Sequence, residues 1–462
     1  LPLIHDHHTL TVCNQDHGAG GDDIVSSLGV GASLNILSTS RISISYGCKF
    51  IIEGDITDAK SVTDTASLTP SLFVNGGASI TGGSGASFTA KNAYIKFGKE
   101  GSNVSSKNNV ANGTFDFSFE NSVIEAGLDI YFAVPANVNP TFNFNLKDSV
   151  LTTERYLKFM APGCNTVIDN SNVNICSSFM NDGKLEIKNN SNVTVNSYVN
   201  SSHGDMTGEV TVDNSKFTIK NSSNINKVIG KGTGKIILKN KAVANVDYIT
   251  DMAITVDTTS KLCSKVIDGT STITIDTTNL KGGLVLDLSE SSSREGKVAF
   301  EPALPSYAEA IYGADGDVTI KSYVAEVEGT RYTDLTSAFK AVKENSVVNI
   351  LRDETITGTW DCRSYNGNQF NHATFSVPVT INGNNHTLKF TGTIKDDILP
   401  QTEITYQLLK YLLQNYPENI CDRYNFKKEE IEEISDEEIM KCLIKGIRQA
   451  TIFPMICGSA YK

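Results

Sequence analysis

The chain has 462 residues, a formal net charge of −12 and a pI near 5.2, a balance that argues against a nucleic-acid partner, which needs clustered Lys and Arg. Its 36 Gly, 11 Pro and single Trp, with many Asn, Ser and Thr, suit numerous short strands joined by tight turns. The length exceeds a usual single core and favours several units or one elongated repeat array, and no run of about 18 apolar residues offers a membrane-spanning helix.

Residues 1–29 are expected to be irregular. They open with Leu1-Pro2-Leu3-Ile4-His5, which is not a secretion signal, and the absence of a starting Met reads as a fragment or processed product. His5, His7 and His8, with Asp6, His17, Asp22 and Asp23 nearby, have the ligand types of a transition-metal site. A terminus with no identifiable groups to orient them outweighs that reading, so no metal and no cofactor is expected.

From residue 30 to 290 one phrase recurs: alternating apolar residues, Asn or Asp with Ser, then alternating apolar residues again. Phe115, Phe117 and Phe119 lead into Asn121-Ser122-Val123, and Phe142, Phe144 and Leu146 lead into Asp148-Ser149-Val150. Leu185 and Ile187 precede Asn190-Ser191, with Val193 and Val195 after it; Val210 and Val212 precede Asn214-Ser215. The corner Ser or its equivalent sits at 122, 149, 171, 191, 215, 241 and 260, at intervals of 19 to 27 residues. Period two turns one side of each strand toward a dry core, and Asn or Asp tolerates the left-handed backbone that corners need.

Repeats of about 20 to 25 residues with variable loops fit a parallel β-solenoid, and about eleven coils are expected. Asn170, Asn190, Asn214 and Asn240 are expected to pass amide hydrogen bonds along the stack. The alternative is an antiparallel sandwich or barrel, against which the corner residue returns after every two short strands. Nine cysteines, Cys13, Cys48, Cys164, Cys176, Cys263, Cys362, Cys421, Cys442 and Cys457, include no C-x-x-C pair and read as small buried apolar residues.

The phrase resembles the right-handed β-helix regions of bacterial secreted and surface-anchored proteins, the broad pectin-lyase-like and adhesin group. That resemblance implies a mainly β right-handed parallel β-helix solenoid, an extracellular or cell-surface location, and glycans or host surface proteins as partners. It also raises the alternative of a carbohydrate-active enzyme, a lyase or hydrolase, which needs paired carboxylates or a calcium site with a basic residue. Neither occurs as a motif; Ser202-His203-Gly204-Asp205 is the nearest polar cluster and reads as a surface turn. The expectation is therefore a non-enzymatic protein.

Residues 291–322 read as a linker or last strands. Within 323–397, Tyr323-Val324-Ala325-Glu326-Val327-Glu328-Gly329 followed by Tyr332-Thr333-Asp334-Leu335 resembles the strand, turn and helix that open β-helix modules in gut-bacterial surface proteins. Leu335, Ala338, Phe339 and Val342 fall at helical spacing, Val347 to Leu351 reads as a strand, and Val379 to Asn384 with Leu388 and Phe390 as a first coil. This α/β module is expected to cap the preceding stack or begin a second one.

Residues 398–462 change to helical periodicity, with Leu408, Leu409, Leu412 and Leu413 on one helix and Met440, Leu443, Ile444 and Ile447 on another. Ser435 and Glu438 form a capping box. The stretch from Ile434 to Lys462 resembles part of the GTP-binding domain of translation elongation factor G, whose guanine-contacting motif Gly458, Ser459 and Ala460 match. No phosphate loop accompanies it: Gly230-Lys231-Gly232-Thr233-Gly234-Lys235 has the wrong spacing, so no GTPase activity is expected.

Overall fold

The computed structural model describes residues 3–394 with gaps, the longest being 13–24, 106–113, 134–140, 199–205 and 361–378; residues 395–462 lie outside the description. Period-two patterning makes the strands. Thr114–Glu120 buries Phe115, Phe117 and Phe119 and turns the residues between them outward.

This strand does not pair with its sequence neighbours. It lies parallel to Ala86–Lys91 on one side and Thr141–Lys147 on the other, residue opposite residue. The same pairing builds a 14-stranded, a 12-stranded and a 7-stranded sheet largely from every third strand, so the chain visits the three in rotation. In later circuits a 3-stranded sheet of Val228–Ile229, Tyr248–Thr250 and Val266–Asp268 provides the third element. Successive strands lie side by side in these sheets only where Ala308–Tyr312 neighbours Val318–Ser322 at the end of the 14-stranded one; elsewhere among the described residues hairpins, as a sandwich would have, do not build them.

The corner joins a strand of the 12-stranded sheet to the next strand of the 14-stranded one. At Asn92, Asn121, Asp148, Asn170 and Asn214 φ lies between 45° and 51°, the left-handed region that Asn and Asp enter at least cost. Two corners, Asn189-Asn190 and Asn240-Lys241, use two such residues each. The added residue is one source of the uneven repeat length.

The structure corrects the sequence reading in three places. Among the described residues most repeats have a third strand, such as Tyr156–Met160 or Phe179–Asn181, too short to show a period of its own. Residues 1–29 are not irregular throughout: Leu3–Ile4, Thr9–Val12 and Val25–Leu28 pair in parallel with Leu34–Ile36, Arg41–Ile44 and Lys49–Glu53. Strands of two to four residues separated by polar stretches carry too few alternations to be seen. Beyond residue 290, Val298–Glu301 still extends the 12-stranded sheet, and Val318–Ser322 pairs antiparallel with Gly283–Leu288, ending the parallel series.

The third correction concerns what holds the corners together. Ser122, Ser149, Ser171, Ser191 and Ser215 are all buried. Each N–H of the first four donates to the hydroxyl oxygen of the serine one circuit on, at 2.9, 3.0, 3.0 and 3.0 Å. Ala93 N–H precedes the line by donating to Ser122 Oγ at 3.1 Å, and Ala242 N–H donates to Ser260 Oγ at 3.0 Å. The hydroxyls donate in turn to corner carbonyls, Ser149 to Lys147 at 2.6 Å and Ser171 to Asp169 at 2.7 Å.

The expected asparagine column is broken into separate pairs instead. Asn170 donates to Asp148 at 2.5 Å, Asn214 to Asn190 at 3.3 Å and Asn240 to Asp213 at 2.8 Å. Ala242, not Lys241, occupies the serine position, because Lys241 is the extra left-handed residue of its corner.

Inside, like packs on like. Phe50, Phe88, Phe117 and Phe142 stand in succession with centroids 6.0, 5.4 and 5.2 Å apart. Phe119, Phe144 and Phe159 follow a second line at 5.6 Å spacing. Gly82 makes room for this packing, since a Cβ there would lie 2.2 Å from the Phe115 ring. The quartet Leu185, Ile187, Val193 and Val195 is fully buried and contributes on the order of 6 to 12 kcal/mol, most of it offset by chain entropy. Stability therefore depends on stacking many circuits.

The chain divides into two compact units, residues 1–305 with 309–321 and residues 306–308 with 322–462. In the second, helix Leu335–Lys340 starts at Asp334, whose carboxylate accepts from Ser337 N–H at 2.7 Å. Leu335 and Ala338 pack with Val324, Val327, Val348 and Ile350. Val347–Ile350 runs parallel to Thr380–Asn382, and Glu354–Trp360 to Leu388–Ile394, so this unit has a parallel stack of its own. The helices expected within 398–462 lie outside the described residues.

Replacing Ser171 by Ala leaves Ser149 N–H without its acceptor inside a buried corner. The expected cost is about 1–3 kcal/mol in urea unfolding, and an unchanged midpoint would deny the serine line any energetic role.

Candidate functional site

Of the faces described, the 12-stranded sheet carries an outward row of alternating charge. Glu53, Lys91, Glu120, Lys147, Asp169, Lys188 and Asp213 are register neighbours in that order, and Lys239 follows Asp213. Lys147 meets Glu120 at 3.0 Å and Lys239 meets Asp213 at 3.2 Å. In-register stacking would set like charges side by side, and the alternation removes that repulsion. Asp257, Asp276 and Glu301 end the row as acids. Asp257 is occupied by the N–H groups of Asn240 and Thr259 at 2.6 and 2.9 Å. Among the described residues no group of three His, Cys, Asp or Glu is placed to hold a metal ion.

The 7-stranded sheet carries a buried polar cluster. Arg155 pairs with the buried Asp129, and the Arg155 guanidinium and the Lys158 ammonium lie 4.5 and 4.0 Å from the centre of the Tyr156 ring. Burial pushes Lys158 down from its ordinary value of 10.5 to about 8, with the Asp129 charge opposing the shift.

An open groove of about 500 Å³ runs beside the corners, lined by Asp58, Lys60, Lys91, Glu120, Asn121, Asp148 and Asn170 among others. Here carboxylates from different circuits do converge, as the enzyme alternative requires. Each is engaged, however. Glu120 is held by Lys147, Asp148 accepts from Asn170, and Asp58 accepts from Lys60 N–H at 3.0 Å as a helix cap.

The outward face of the 14-stranded sheet differs from both. Val150, Asn172, Asn192 and Lys216 form one register row, and Thr152, Asn174, Thr194, Thr218 and Asn245 the next. Asn172, Asn174 and Asn192 are exposed, while Thr194, Asn196 and Thr218 are half-buried. Asn196 donates to Asn174, and Asn245 to Thr218 at 3.3 Å, which orients the amides. A shallow groove of about 300 Å³ follows this strip from Val150 to Asn196 and Lys220. Chemically it is a grid of amide and hydroxyl groups, donors and acceptors both, at the strand spacing of about 4.8 Å.

One side of the grid is closed by residues 54–71, which cross the same face over earlier strands. Ala59, Ile56, Val62 and Leu68 cover Tyr94 and Val123. Asn121 holds this segment by accepting from Ala59 N–H at 2.8 Å and donating to Ile56 at 2.9 Å. Glu125 accepts from Thr65 and Tyr94, both at 2.5 Å, and Lys60 reaches Asn170 at 2.8 Å.

The residues singled out from sequence are not brought into this strip. His5, His7 and His8, the cluster 202–205, and Gly458, Ser459 and Ala460 lie outside the described residues. The Gly230–Gly234 stretch is a turn whose Gly232 N–H donates to Asp251 at 2.9 Å and Gly234 N–H to Gly230 at 2.9 Å, so those amides are spent within the fold. Cys48 and Cys164 are buried as expected, whereas Cys176 and Cys263 are only half-buried. The strip itself was missed because Asn172-Val173-Asn174 and Asn192-Val193-Thr194 look like ordinary solvated strand positions; their signal is the recurrence of Asn and Thr at the same place in successive repeats. Comparison with family models, curated proteins and solved structures finds no significant match to this chain.

With its folded value below the unfolded one, Lys158 binds fewer protons in the folded chain between about pH 8 and 10.5. Its destabilising effect is complete below that window and fades as pH rises through it. Lys158→Met is therefore expected to be more stable than the parent at pH 7, with the gap narrowing by pH 10 in urea titrations; a gap independent of pH would contradict the assignment.

Proposed function

We propose that the chain is a non-enzymatic, right-handed parallel β-helix solenoid of a bacterial surface or secreted protein, and that it binds glycans through the Asn and Thr grid of its 14-stranded sheet. The solenoid reading is supported by parallel in-register strands visited in rotation, and its handedness and surface location by the resemblance of the repeat phrase. The observation that carries the binding reading is the grid itself: neutral amides and hydroxyls from successive strands, aligned by register and open to solvent. Sugar hydroxyls both donate and accept, and side chains of this kind match them without demanding charge. Such a face also suits adhesion, where many weak contacts add.

A carbohydrate-active enzyme is the second reading, favoured by the convergence of Asp58, Glu120 and Asp148 in one groove. The ion pair, amide and cap that occupy these carboxylates give them structural work and weigh against acid and base roles. The elongation factor G resemblance of residues 398–462 rests on sequence alone and carries no GTPase activity.

Glycan-array binding of the purified chain tests the proposal. Asn172→Ala with Asn192→Ala is expected to weaken a bound glycan about tenfold or more, roughly 1.4 kcal/mol, while Thr211→Ala on the 12-stranded sheet leaves it unchanged. Binding to no glycan, or equal binding by both variants, would sink the reading; release of reducing ends from a bound polysaccharide, abolished by Glu120→Gln, would establish the enzyme instead.

A further inference from the structure

Resting on the glycan reading, we infer that the strip takes a short terminal stretch of a glycan, not the interior of a long chain. The argument is one of boundaries. On the side of the earlier circuits, segment 54–71 covers Tyr94 and Val123, and Val123 is the register neighbour of Val150, where the strip begins. Thr65 and Glu125 close the second row in the same way, since Glu125 is the neighbour of Thr152. Lys60 ties the segment to Asn170, just before the strand that carries Asn172 and Asn174. A ligand lying across the strands therefore meets a wall at Val150.

On the other side ion pairs begin. Two and three strands past Thr218 the face carries Lys261 paired with Asp287 at 2.6 Å. Those charges are satisfied by each other and gain nothing from a sugar hydroxyl. Five strands separate the wall from that ion pair, those beginning at Val150, Asn172, Asn192, Lys216 and Val243, and Lys216 is the one charged side chain on them. Four strand spacings give roughly 19 Å, room for about four sugar rings laid across the strands. A blind end favours a ligand with an end of its own.

The test uses the full chain with oligomers of β-1,4-linked glucose, β-1,4-linked N-acetylglucosamine and α-1,6-linked mannose, from one to eight units, titrated by calorimetry. For the series that binds, affinity is expected to climb to about four rings and then stay level. A bulky group attached at one terminus is expected to weaken binding tenfold or more, and the same group at the other terminus to be tolerated. Affinity that keeps climbing through eight units, with both blocked forms tolerated, overturns the inference while leaving glycan binding standing. Failure of every saccharide to bind removes the glycan reading and this inference with it.

Discussion

In-register parallel stacking is the constraint from which the other features of the first unit follow. When each strand lies beside the same strand of the next circuit, every side chain has its own counterpart from the neighbouring repeat as its closest lateral contact. Apolar positions then gain by repetition, as in the register contacts of Phe50, Phe88 and Phe117, while Phe117 with Phe142 and Phe119 with Phe144 meet diagonally and Phe144 with Phe159 meet between two sheets. Buried polar positions survive only when the repeated group is both donor and acceptor. Serine meets that requirement, because its oxygen accepts from one circuit while its proton goes to a carbonyl of its own corner.

Charge is the case where repetition fails, and the sequence alternates sign instead. From Glu53 to Lys239 each outward position at the edge of the 12-stranded sheet opposes its neighbours. Exposed pairs of this kind are worth little singly, so their value lies in excluding a row of like charges. The neutral strip obeys the same rule differently. Asn and Thr repeat without penalty, and what repeats without penalty on an open face becomes an extended surface of identical groups. This geometry suits a ligand whose own groups recur and has no enclosed cavity for one compact molecule.

The segment 54–71 breaks the regularity. It belongs to no sheet, yet it packs four apolar side chains on outward residues Tyr94 and Val123 and is fixed by Asn121, Glu125 and Asn170 from two later circuits. Tyr94 is pushed up to about 12 by burial beneath it and by the Glu125 carboxylate. A loop that covers part of a face defines where the rest begins, which is how an endless repeat acquires a bounded site.

Sequence alone was enough for the strands with three or more alternations, such as Thr114–Glu120, for the left-handed corners at Asn121, Asp148, Asn170 and Asn214, and for the helix beginning after Asp334. These are local matters: period, backbone preference and capping are written in consecutive residues. What the tertiary structure decided was everything that depends on which circuit lies beside which. The third strand, the serine line in place of an asparagine column, the alternation of charge and the Asn and Thr strip all join residues about 20 to 30 positions apart. Corners of one or two left-handed residues shift the count between repeats, so a linear reading put Lys241 where Ala242 stands. Register is a property of packed neighbours, and no single repeat contains it.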